Sequence, residues 1–354
     1  MNKYLSDKLK VVSFMAMILV VFLHGFNQVV RLKSGQTAVL DRSYNFFIQE
    51  FISQGIARTA VPLFFTISGF LFFLNTSGKL EEFKEKYRKR VKTLVIPFFF
   101  WSFWSLVLCF LFQQLPPPRI FFANELVTSY SAEKLLSTIF LHPIAYQLWF
   151  IRDLVILVFL SPLLFWLAKN LKFLLLLLLA GFWISNFNLL IVANEALLFF
   201  ALGAYLSIFK QELLQVQLSA KQSFVLVLMW FCLIWAKMGL IYFNYPPSIY
   251  MTILHKLGIL VGMLAIWSVY DCLIYSKRDV ILKWAPFSFF IYAFHEPVLM
   301  IFKPALFTLF GKGELNSLLV YIFAPLLSIL LGIFVAAKLQ KVSPKLYSLI
   351  TGGR

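Results

Sequence analysis

The feature that most constrains this chain is a series of apolar runs, each about twenty residues long, separated by short polar segments. A helix of that length spans the ~30 Å hydrocarbon core of a bilayer, because each residue adds about 1.5 Å. Only 13% of the residues are charged, whereas about a quarter are charged in a water-soluble domain. Peptide groups in hydrocarbon must be hydrogen-bonded within the chain. The sequence therefore predicts an all-α polytopic transmembrane bundle that forms a single domain over residues 1–354.

About ten transmembrane helices with short connections account for the apolar runs. The distribution of Lys and Arg predicts their orientation: with the N-terminus inside, 21 of the 32 fall in inner segments and nine in outer segments. Cytoplasmic loops carry the excess of positive charge, so both termini are predicted to be cytoplasmic. The predicted spans are 9–30, 57–75, 91–114, 147–168, 171–187, 188–209, 221–243, 248–275, 281–310 and 315–338.

The net charge of +17 is concentrated between the apolar runs, a pattern that indicates membrane lipids and not nucleic acid as partners. Segment 79–92 is the most basic, with seven cations and three acids. It either anchors the chain at anionic head groups or docks a polyphosphate ligand, and the two roles are compatible. Arg88, Arg90 and Lys92 are the candidate residues for such a ligand.

His24 is an ionisable group at membrane depth, where such groups indicate function. It follows Lys10 by fourteen residues, which places it about 21 Å up the first helix. Ser13, Met17 and His24 fall on one helical face together with Val20 and Asn27, so this face can point inward. The structural alternative is that the imidazole has no catalytic role and is hydrogen-bonded to a hydroxyl or carbonyl group of a neighbouring helix.

The ninth span has a second polar stripe at helical spacing. Its members are Ser288, Tyr292, the adjacent pair His295 and Glu296, and Lys303. Two neighbouring ionisable groups near the midplane are difficult to explain by packing, so His295 and Glu296 are candidate catalytic residues and Tyr292 is a candidate for substrate binding. Lys303, near the outer end, is expected to extend towards the interface.

The second span contains Arg58 near its outer end and Ser68 about 15 Å further in. Both are candidate substrate-binding residues. Ser68 precedes Gly69, and a pair of small residues also permits two helices to pack closely, which is the structural alternative.

Trp149, Arg152 and Asp153 open the fourth span and are further candidates for substrate binding. The neighbouring Arg and Asp can neutralise each other, and Trp suits the membrane interface. Glu195 in the sixth span has no neighbour in sequence to pair with and needs a cation, which Arg152, Arg58 or His255 can supply.

These polar groups lie from the midplane to the outer half of the bundle, which predicts one water-accessible cavity opening outward. The outer segment 115–146 is long enough to form a lid or an acceptor-binding surface. No metal site is predicted, because the sequence contains no His-Glu-x-x-His motif and its three cysteines have no paired spacing.

Six stretches together resemble the membrane-bound acyltransferase-3 family, which includes bacterial O-acetyltransferases and succinyltransferases of cell-surface sugars. Each stretch alone is a weak signal, but their order across nearly the whole chain is specific. They are Ile18-Leu-Val-Val-Phe-Leu-His24, Val61-Pro-Leu-Phe-Phe-Thr-Ile-Ser-Gly-Phe-Leu71, Arg90-Val-Lys-Thr-Leu-Val-Ile-Pro97, Gln147-Leu-Trp-Phe-Ile-Arg-Asp153, Phe199-Phe-Ala-Leu-Gly203 and Ile291-Tyr-Ala-Phe-His-Glu-Pro297.

The resemblance implies a multi-pass enzyme of the bacterial cytoplasmic membrane. Such an enzyme transfers an acyl group, with acetyl as the first candidate, from acyl-CoA to a hydroxyl or amino group. The acceptor is a cell-surface or lipid-linked glycan. The family pattern implies that His24 is catalytic and that the basic segment before Pro97 lies near acyl-CoA. Many members have Arg eleven residues before this histidine; this chain has Ser13, and Lys10 is the candidate to supply the charge.

The residue types suit this chemistry. A histidine can take the proton of an attacking hydroxyl, a role that contributes about 10²–10⁴-fold to rate. Glu195 or Glu296 can orient the imidazole, as acids do in catalytic triads, and Arg58 or Arg152 can stabilise the oxyanion. An acyl-histidine intermediate is a variant of the same scheme.

Two other functions fit the composition. A secondary transporter also has about ten helices with ionisable groups at the midplane, although no internal repeat is visible here. A non-catalytic membrane protein that assists polysaccharide export is the second alternative.

Overall fold

In a computed structural model, the described residues are 1–31, 37–39, 43–114, 125–187, 191–311 and 313–353. Nearly all of them are helical, which confirms the all-α membrane bundle. The helices, numbered in chain order, are α1 (Lys3–Gly25), α2 (Tyr44–Phe73), α3 (Leu80–Gln114), α4 (Ala132–Phe140), α5 (Tyr146–Phe159), α6 (Ser161–Leu171), α7 (Phe173–Ser185), α8 (Asn194–Phe209), α9 (Ala220–Tyr242), α10 (Ile249–Leu282), α11 (Ala285–Phe310), α12 (Glu314–Val342) and α13 (Pro344–Thr351).

Two short strands depart from the helical pattern. β1 (Val29–Arg31) and β2 (Thr37–Val39) pair in an antiparallel ladder after α1. Each strand has only three residues, which is too short for an alternating apolar pattern to be visible in the sequence. The apolar runs therefore did not predict this ladder.

The predicted spans coincide in order with apolar helices. Within the described ranges, seven helices are long and apolar enough to cross a membrane: α1, α2, α3, α9, α10, α11 and α12. The pair α5–α6 would form an eighth span, and α7 and α8 are shorter, with 13 and 16 residues. The first residues of the predicted span 188–209 lie outside the described residues. A total of ten crossings therefore stays a prediction.

Three helices are locally distorted close to the polar residues. Pro162 stands in the first turn of α6, and α5 and α6 meet there at an angle of 67°. Proline cannot continue the hydrogen-bond ladder of a preceding helix, which explains the break. Phe51–Ile56 in α2 and Val91–Val95 in α3 are π-helical. Such segments occur frequently at functional sites, and here they adjoin Arg58 and Arg90.

Close packing of α2 on α8 fixes the region around Ser68. A Cβ atom on Gly69 would overlap the carbonyl oxygen of Phe200, and one on Gly203 would overlap that of Thr66. The two glycines thus let the backbones touch, as small residues do between membrane helices. The packing explanation of the Ser-Gly pair is confirmed for Gly69.

α1 is the central helix of the bundle and packs against α2, α11 and α12. Its residues Val11, Val12, Ala16 and Val21 have no exposed surface. The Oγ atom of Ser53 in α2 donates a hydrogen bond to the carbonyl of Phe22 at 3.1 Å, close to the end of α1. The end of α1 is thereby held inside the bundle.

One end of the bundle, here called the basic end, holds the first residues of α1 and the basic segment 79–92. Lys8 is completely buried there and forms an ion pair with Asp271 at 2.8 Å. α13 lies at the same end, because Trp101 Nε1 in α3 donates to the carbonyl of Ile350 at 2.9 Å. Both terminal helices are therefore on one side, and the prediction that this side is cytoplasmic remains open to test.

Candidate active site

His24 and Glu296 meet between α1 and α11. His24 lies in the last turn of α1, and its Nδ1 atom is 3.2 Å from Oε2 of Glu296. The two side chains are only 15% and 21% exposed. A carboxylate at this distance stabilises the protonated ring and favours the tautomer with its proton on Nδ1, which makes Nε2 the basic nitrogen. Of the two acids that the sequence offers as orienting groups, Glu296 is therefore the one that lies at the imidazole.

Lys303 holds the end of α1 from the next turns of α11. Its Nζ atom donates to the carbonyl of His24 and to that of Phe26, the latter at 3.4 Å. The last carbonyls of a helix have no partner within the helix, and a cation there is favourable. Lys303 therefore does not extend to the interface as the sequence predicts; it positions the backbone of His24 and places a positive charge beside Glu296.

His295 brings a second imidazole to the site. Its side chain is completely buried, and its ring centre is 5.2 Å from that of His24. Nδ1 of His295 lies 3.2 Å from the carbonyl of Ile291, which can only accept, so Nδ1 carries the proton in the neutral ring. Nε2 is then a buried acceptor, and it has no hydrogen-bond partner among the described residues. A substrate O–H or N–H group would satisfy it.

Tyr292 joins α11 to the start of α5. Its hydroxyl donates to the carbonyl of Gln147, and Gln147 Nε2 donates to the carbonyl of Ala293 at 3.1 Å. The Tyr292 ring packs 6.2 Å from His295 and 5.9 Å from Phe150. Tyr292, a predicted substrate-binding residue, is thus adjacent to His295.

A cavity of about 600 Å³ extends from the basic end towards this site. Lys10, Arg90 and Asp7 line it near the basic end, and Ser13, Ser68 and Tyr292 line it further in, among apolar side chains that include Phe64, Phe150 and Phe289. We call it the basic-end cavity. The sequence predicts a single cavity that opens outward; the structure instead places this cavity on the basic side, between α1, α2, α3, α5, α10 and α11.

Of the three predicted cofactor-binding cations, only Arg90 reaches this cavity. Arg90 is partly buried, with its guanidinium 5.7 Å from the Phe72 ring centre, whereas Arg88 and Lys92 are exposed on the same end. Lys10 and Ser13 line the cavity together, so Lys10 is placed where it can supply the charge that Ser13 lacks.

A second pocket, of about 410 Å³, lies at the opposite end and shares no lining residue with the basic-end cavity. We call it the distal pocket. Tyr146, Trp149 and Arg152 line it, together with the segment from Leu141 to Pro143. The Tyr146 ring centre is 6.2 Å from that of His24. His24 therefore lies between the two spaces, with Tyr146 on one side and Tyr292, through His295, on the other.

Arg152 and Asp153 form the wall of the distal pocket. Arg152 Nη2 lies 2.8 Å from Oδ1 of Asp153, and Nη1 donates to the carbonyl of Leu141 at 2.9 Å. The backbone N–H of Ala193 donates to Oδ2 of Asp153 at 3.0 Å. The predicted neutralising pair is present. Asp153 thereby ties α5 to the start of α8, and it also lines the distal pocket, so its role in substrate binding stays a prediction.

Arg58 and Glu195 belong to a different polar cluster. The charges that act on Glu195 are those of Arg58 and Lys256, not that of His24. Arg58 donates to Gln54 Oε1 at 2.6 Å. Among the described contacts, neither Arg58 nor Arg152 touches His24, but Arg152 lines the distal pocket together with Tyr146, so its role at the oxyanion stays a prediction. Glu195 likewise has no contact that supports a catalytic role.

The structure also brings together a possible ligand set for a metal ion. Ligand atoms of His24, His295 and Glu296 lie within 4.8 Å of one another. Two histidines and a glutamate can hold zinc with a fourth position open. The half-buried Lys303 ammonium beside Glu296 opposes a divalent cation electrostatically. The types of ligand atom thus suit a metal ion, but the positive charge of Lys303 does not. The absence of a metal remains a prediction.

Tyr146 is a site residue that the sequence alone does not single out. It precedes the Gln147–Asp153 stretch by one position, but an exposed aromatic residue at a helix start is common. Lys303 carries a clearer signal, because it lies seven residues after Glu296 and hence on the same face of the helix.

Comparison with known proteins agrees with this geometry. The succinoglycan biosynthesis protein ExoH of Rhizobium meliloti (strain 1021) is 23% identical over 314 residues, which cover 87% of this chain and 82% of that protein. No solved structure matches the chain significantly. The sequence profile of the acyltransferase domain family, acyltransferase-3, matches residues 8–337, nearly the whole chain. This multi-pass membrane protein therefore belongs to the acyltransferase-3 family and is an acyltransferase.

Proposed function

We propose that the enzyme transfers an acyl group, acetyl in the first instance, from acyl-CoA at the basic end to a hydroxyl group of a glycan at the opposite end, with His24 as the general base. The observation that carries the proposal is the His24–Glu296 pair, which lies between the basic-end cavity and the distal pocket. Membership of an acyltransferase family leaves the transporter and the non-catalytic export protein without support.

The proposed step needs no group beyond the side chains at the site. Nε2 of His24 takes the proton of the acceptor hydroxyl as its oxygen attacks the thioester carbonyl carbon. The C–S bond breaks, and the imidazolium returns the proton to the departing CoA sulfur. Glu296 stabilises the imidazolium through Nδ1, as the acid of a catalytic triad does. An acyl-histidine intermediate would use the same Nε2 as nucleophile.

The donor is proposed to enter through the basic-end cavity. Lys10 and Arg90 stand at its basic end and suit the phosphates of CoA, since Arg and Lys are the usual phosphate ligands. The walls further in are largely apolar and suit a thioester arm that ends at Tyr292. Arg88 and Lys92, exposed beside the cavity, add to the positive potential that attracts the donor.

The acceptor is proposed to enter from the distal pocket. Tyr146 and Trp149 line this pocket, and flat aromatic faces suit the C–H faces of sugar rings. ExoH, by its name, takes part in the biosynthesis of a polysaccharide, which supports a glycan as acceptor. The proposed location is the bacterial cytoplasmic membrane with the basic end inside, so that donor and acceptor approach from opposite faces.

Replacement of His24 by Ala tests the catalytic assignment. The purified variant should retain its fold, because the imidazole lines a space between helices, and kcat for transfer should fall by about 10²–10⁴-fold. Release of CoA thiol from acyl-CoA with a glycan acceptor measures this rate. His142→Ala, in an exposed histidine at the distal pocket, should have a smaller effect. Transfer by His24→Ala near the wild-type rate would exclude His24 as the base.

Two further measurements address the acceptor and the orientation. Mass analysis of surface glycans from cells with and without the enzyme should show the loss of an acyl modification when the enzyme is absent. Reporter fusions at the C-terminus and within 79–90 should both report the cytoplasmic side. An outer location for either segment would contradict the proposed direction of transfer.

A further inference from the structure

We propose that the enzyme has a second ligand site, formed by Arg58, Lys237, His255 and Lys256 on the face of α2 away from His24, which binds the phosphate group of a membrane lipid. This cluster, here called the lateral basic site, is not part of the proposed acyl-transfer step. Binding to it can be measured without acyl-CoA.

The four side chains of the site come from three helices. Arg58 comes from α2, Lys237 from α9, and His255 and Lys256 from α10. Lys237 Nζ donates to the carbonyl of Gln54 at 3.4 Å, and Arg58 Nε donates to the side-chain oxygen of the same Gln54. α10 packs against the turn of α2 that contains Arg58. Glu195 at the start of α8 faces Arg58 and Lys256. Residues from such distant parts of the sequence converge here although basic groups at membrane depth are costly.

The contacts of the cations leave positive charge without an ionic partner. Lys237 is paired with Glu50 at 3.4 Å, and the two side chains are 14% and 12% exposed. Lys256 donates to the amide oxygen of Asn186 at 3.1 Å, and Arg58 to the amide oxygen of Gln54. Neither of these last two forms an ion pair within 4.0 Å in the part of the chain that the structure describes.

Arg58 in particular is free to bind. Only its Nε atom donates to a protein acceptor; its two terminal nitrogens have no hydrogen-bond partner among the described residues. The side chain is exposed, so the guanidinium is open to a ligand. A guanidinium with its terminal donors free matches the paired oxygens of a phosphate.

The lateral basic site is separate from the acyl-transfer site. Ser53 and Ala57 are buried on the face of α2 that packs against α1, and Ser53 donates to the carbonyl of Phe22. Gln54 and Arg58 follow these two residues by one position, a rotation of about 100° around the helix. They therefore face α9 and α10 instead of His24.

A phosphate is the anion that this arrangement favours. Three basic side chains, Arg58, Lys237 and Lys256, share two carboxylates, Glu50 and Glu195, so an anionic ligand would balance the remaining positive charge. A lipid phosphate reaches such a position because its chains remain in the bilayer beside the helices. It can belong to a bilayer phospholipid or to a prenyl diphosphate that carries a sugar chain.

Lipid titration of the detergent-purified full-length enzyme tests the proposal. The probes are farnesyl diphosphate, dioleoylphosphatidylglycerol and the uncharged dioleoylglycerol. Tryptophan fluorescence is followed during the titration to obtain the affinity and during heating to obtain the melting temperature. The two phosphate lipids should bind and raise the melting temperature, and dioleoylglycerol should not. Tighter binding of farnesyl diphosphate would identify a prenyl carrier as the source; equal binding of phosphatidylglycerol would identify the bilayer.

Substitutions at the exposed Arg58 locate the binding. Arg58→Glu should raise the Kd for the phosphate lipids by at least about ten-fold, whereas Arg58→Lys should keep most of the affinity. Lys134→Gln is the control, because it removes a cation in α4, outside the lateral basic site. Lys134 is paired with Glu125, and its hydrogen bond holds the pKa of Glu125 below the usual range. Three results would overturn the proposal. The first is that Arg58→Glu binds the phosphate lipids as tightly as the wild type, and the second is that Arg58→Glu and Lys134→Gln lose the same affinity. The third is that all three lipids bind equally.

Discussion

Glu296→Gln tests the electrostatic part of the site with almost no change in shape. The amide oxygen can still accept the Nδ1 proton of His24, but the negative charge is lost. At 3.2 Å, a full charge pair is worth about 5 kcal/mol at an effective dielectric constant of about 20. Every 1.36 kcal/mol corresponds to about ten-fold in rate, so the upper limit of the effect on kcat is about 10⁴-fold.

Solvent reduces this limit, because the two side chains retain 15% and 21% exposure. We therefore expect kcat to fall by about 10²–10³-fold, with the KM for acyl-CoA nearly unchanged, since Glu296 does not line the basic-end cavity. Initial rates of CoA thiol release over a range of acyl-CoA concentrations separate the two parameters.

Glu195→Gln is the matched control, since it removes the other carboxylate that the sequence offers as a partner of the imidazole. Its charge is balanced by Arg58 and Lys256, so its loss should leave kcat within about ten-fold of the wild type. If Glu195→Gln lowers kcat as much as Glu296→Gln, or if folded Glu296→Gln turns over at the wild-type rate, the pairing of His24 with Glu296 does not govern catalysis.

Four further outcomes follow from the geometry. Arg90→Gln should raise the donor KM by about ten-fold, a loss of about 1.4 kcal/mol, whereas the exposed Arg88→Gln should change it little; titration with acyl-CoA distinguishes them. Lys303→Met should lower both kcat and thermal stability, the latter by about 1.5–3 kcal/mol, and Lys303→Arg should restore part of each. Gly203→Val should destabilise the bundle by about 1–3 kcal/mol or more in thermal unfolding, with KM unchanged in the folded fraction. Treatment with a zinc chelator should leave turnover intact; a loss that zinc reverses would show that His24 holds a metal.

The helices and their order could be predicted from the sequence because lipid imposes one rule along the whole chain. Every apolar run must be helical to satisfy its own peptide groups, so length and composition suffice. The same periodicity identifies faces: Ser13 and His24 line up along α1, and Tyr292, His295 and Glu296 along α11. Each set therefore lies along one side of its own helix, as the sequence predicts.

Contacts between helices could not be predicted in the same way. Glu195 and Glu296 are equivalent as isolated buried carboxylates, and only the packing of α1 against α11 makes Glu296 the neighbour of His24. Arg58 is directed away from His24 by the rotation of α2, which begins at Tyr44, far before the predicted start of that span, and includes a π-helical segment. Neither the rotation nor the segment has a signal in composition.

The wall between the basic-end cavity and the distal pocket determines how acyl transfer depends on the membrane voltage. It is made of filled space: Tyr292, Gln147 and His295 are buried and joined by hydrogen bonds to the backbone. In the proposed step, an acyl group crosses this wall in one direction while the acceptor's proton crosses to CoA in the other. Neither product changes its charge, so each turnover moves no net charge. For an uncharged acyl group such as acetyl, the equilibrium of the transfer should therefore be independent of the membrane voltage, and acylation would not discharge the ion gradients of the cell.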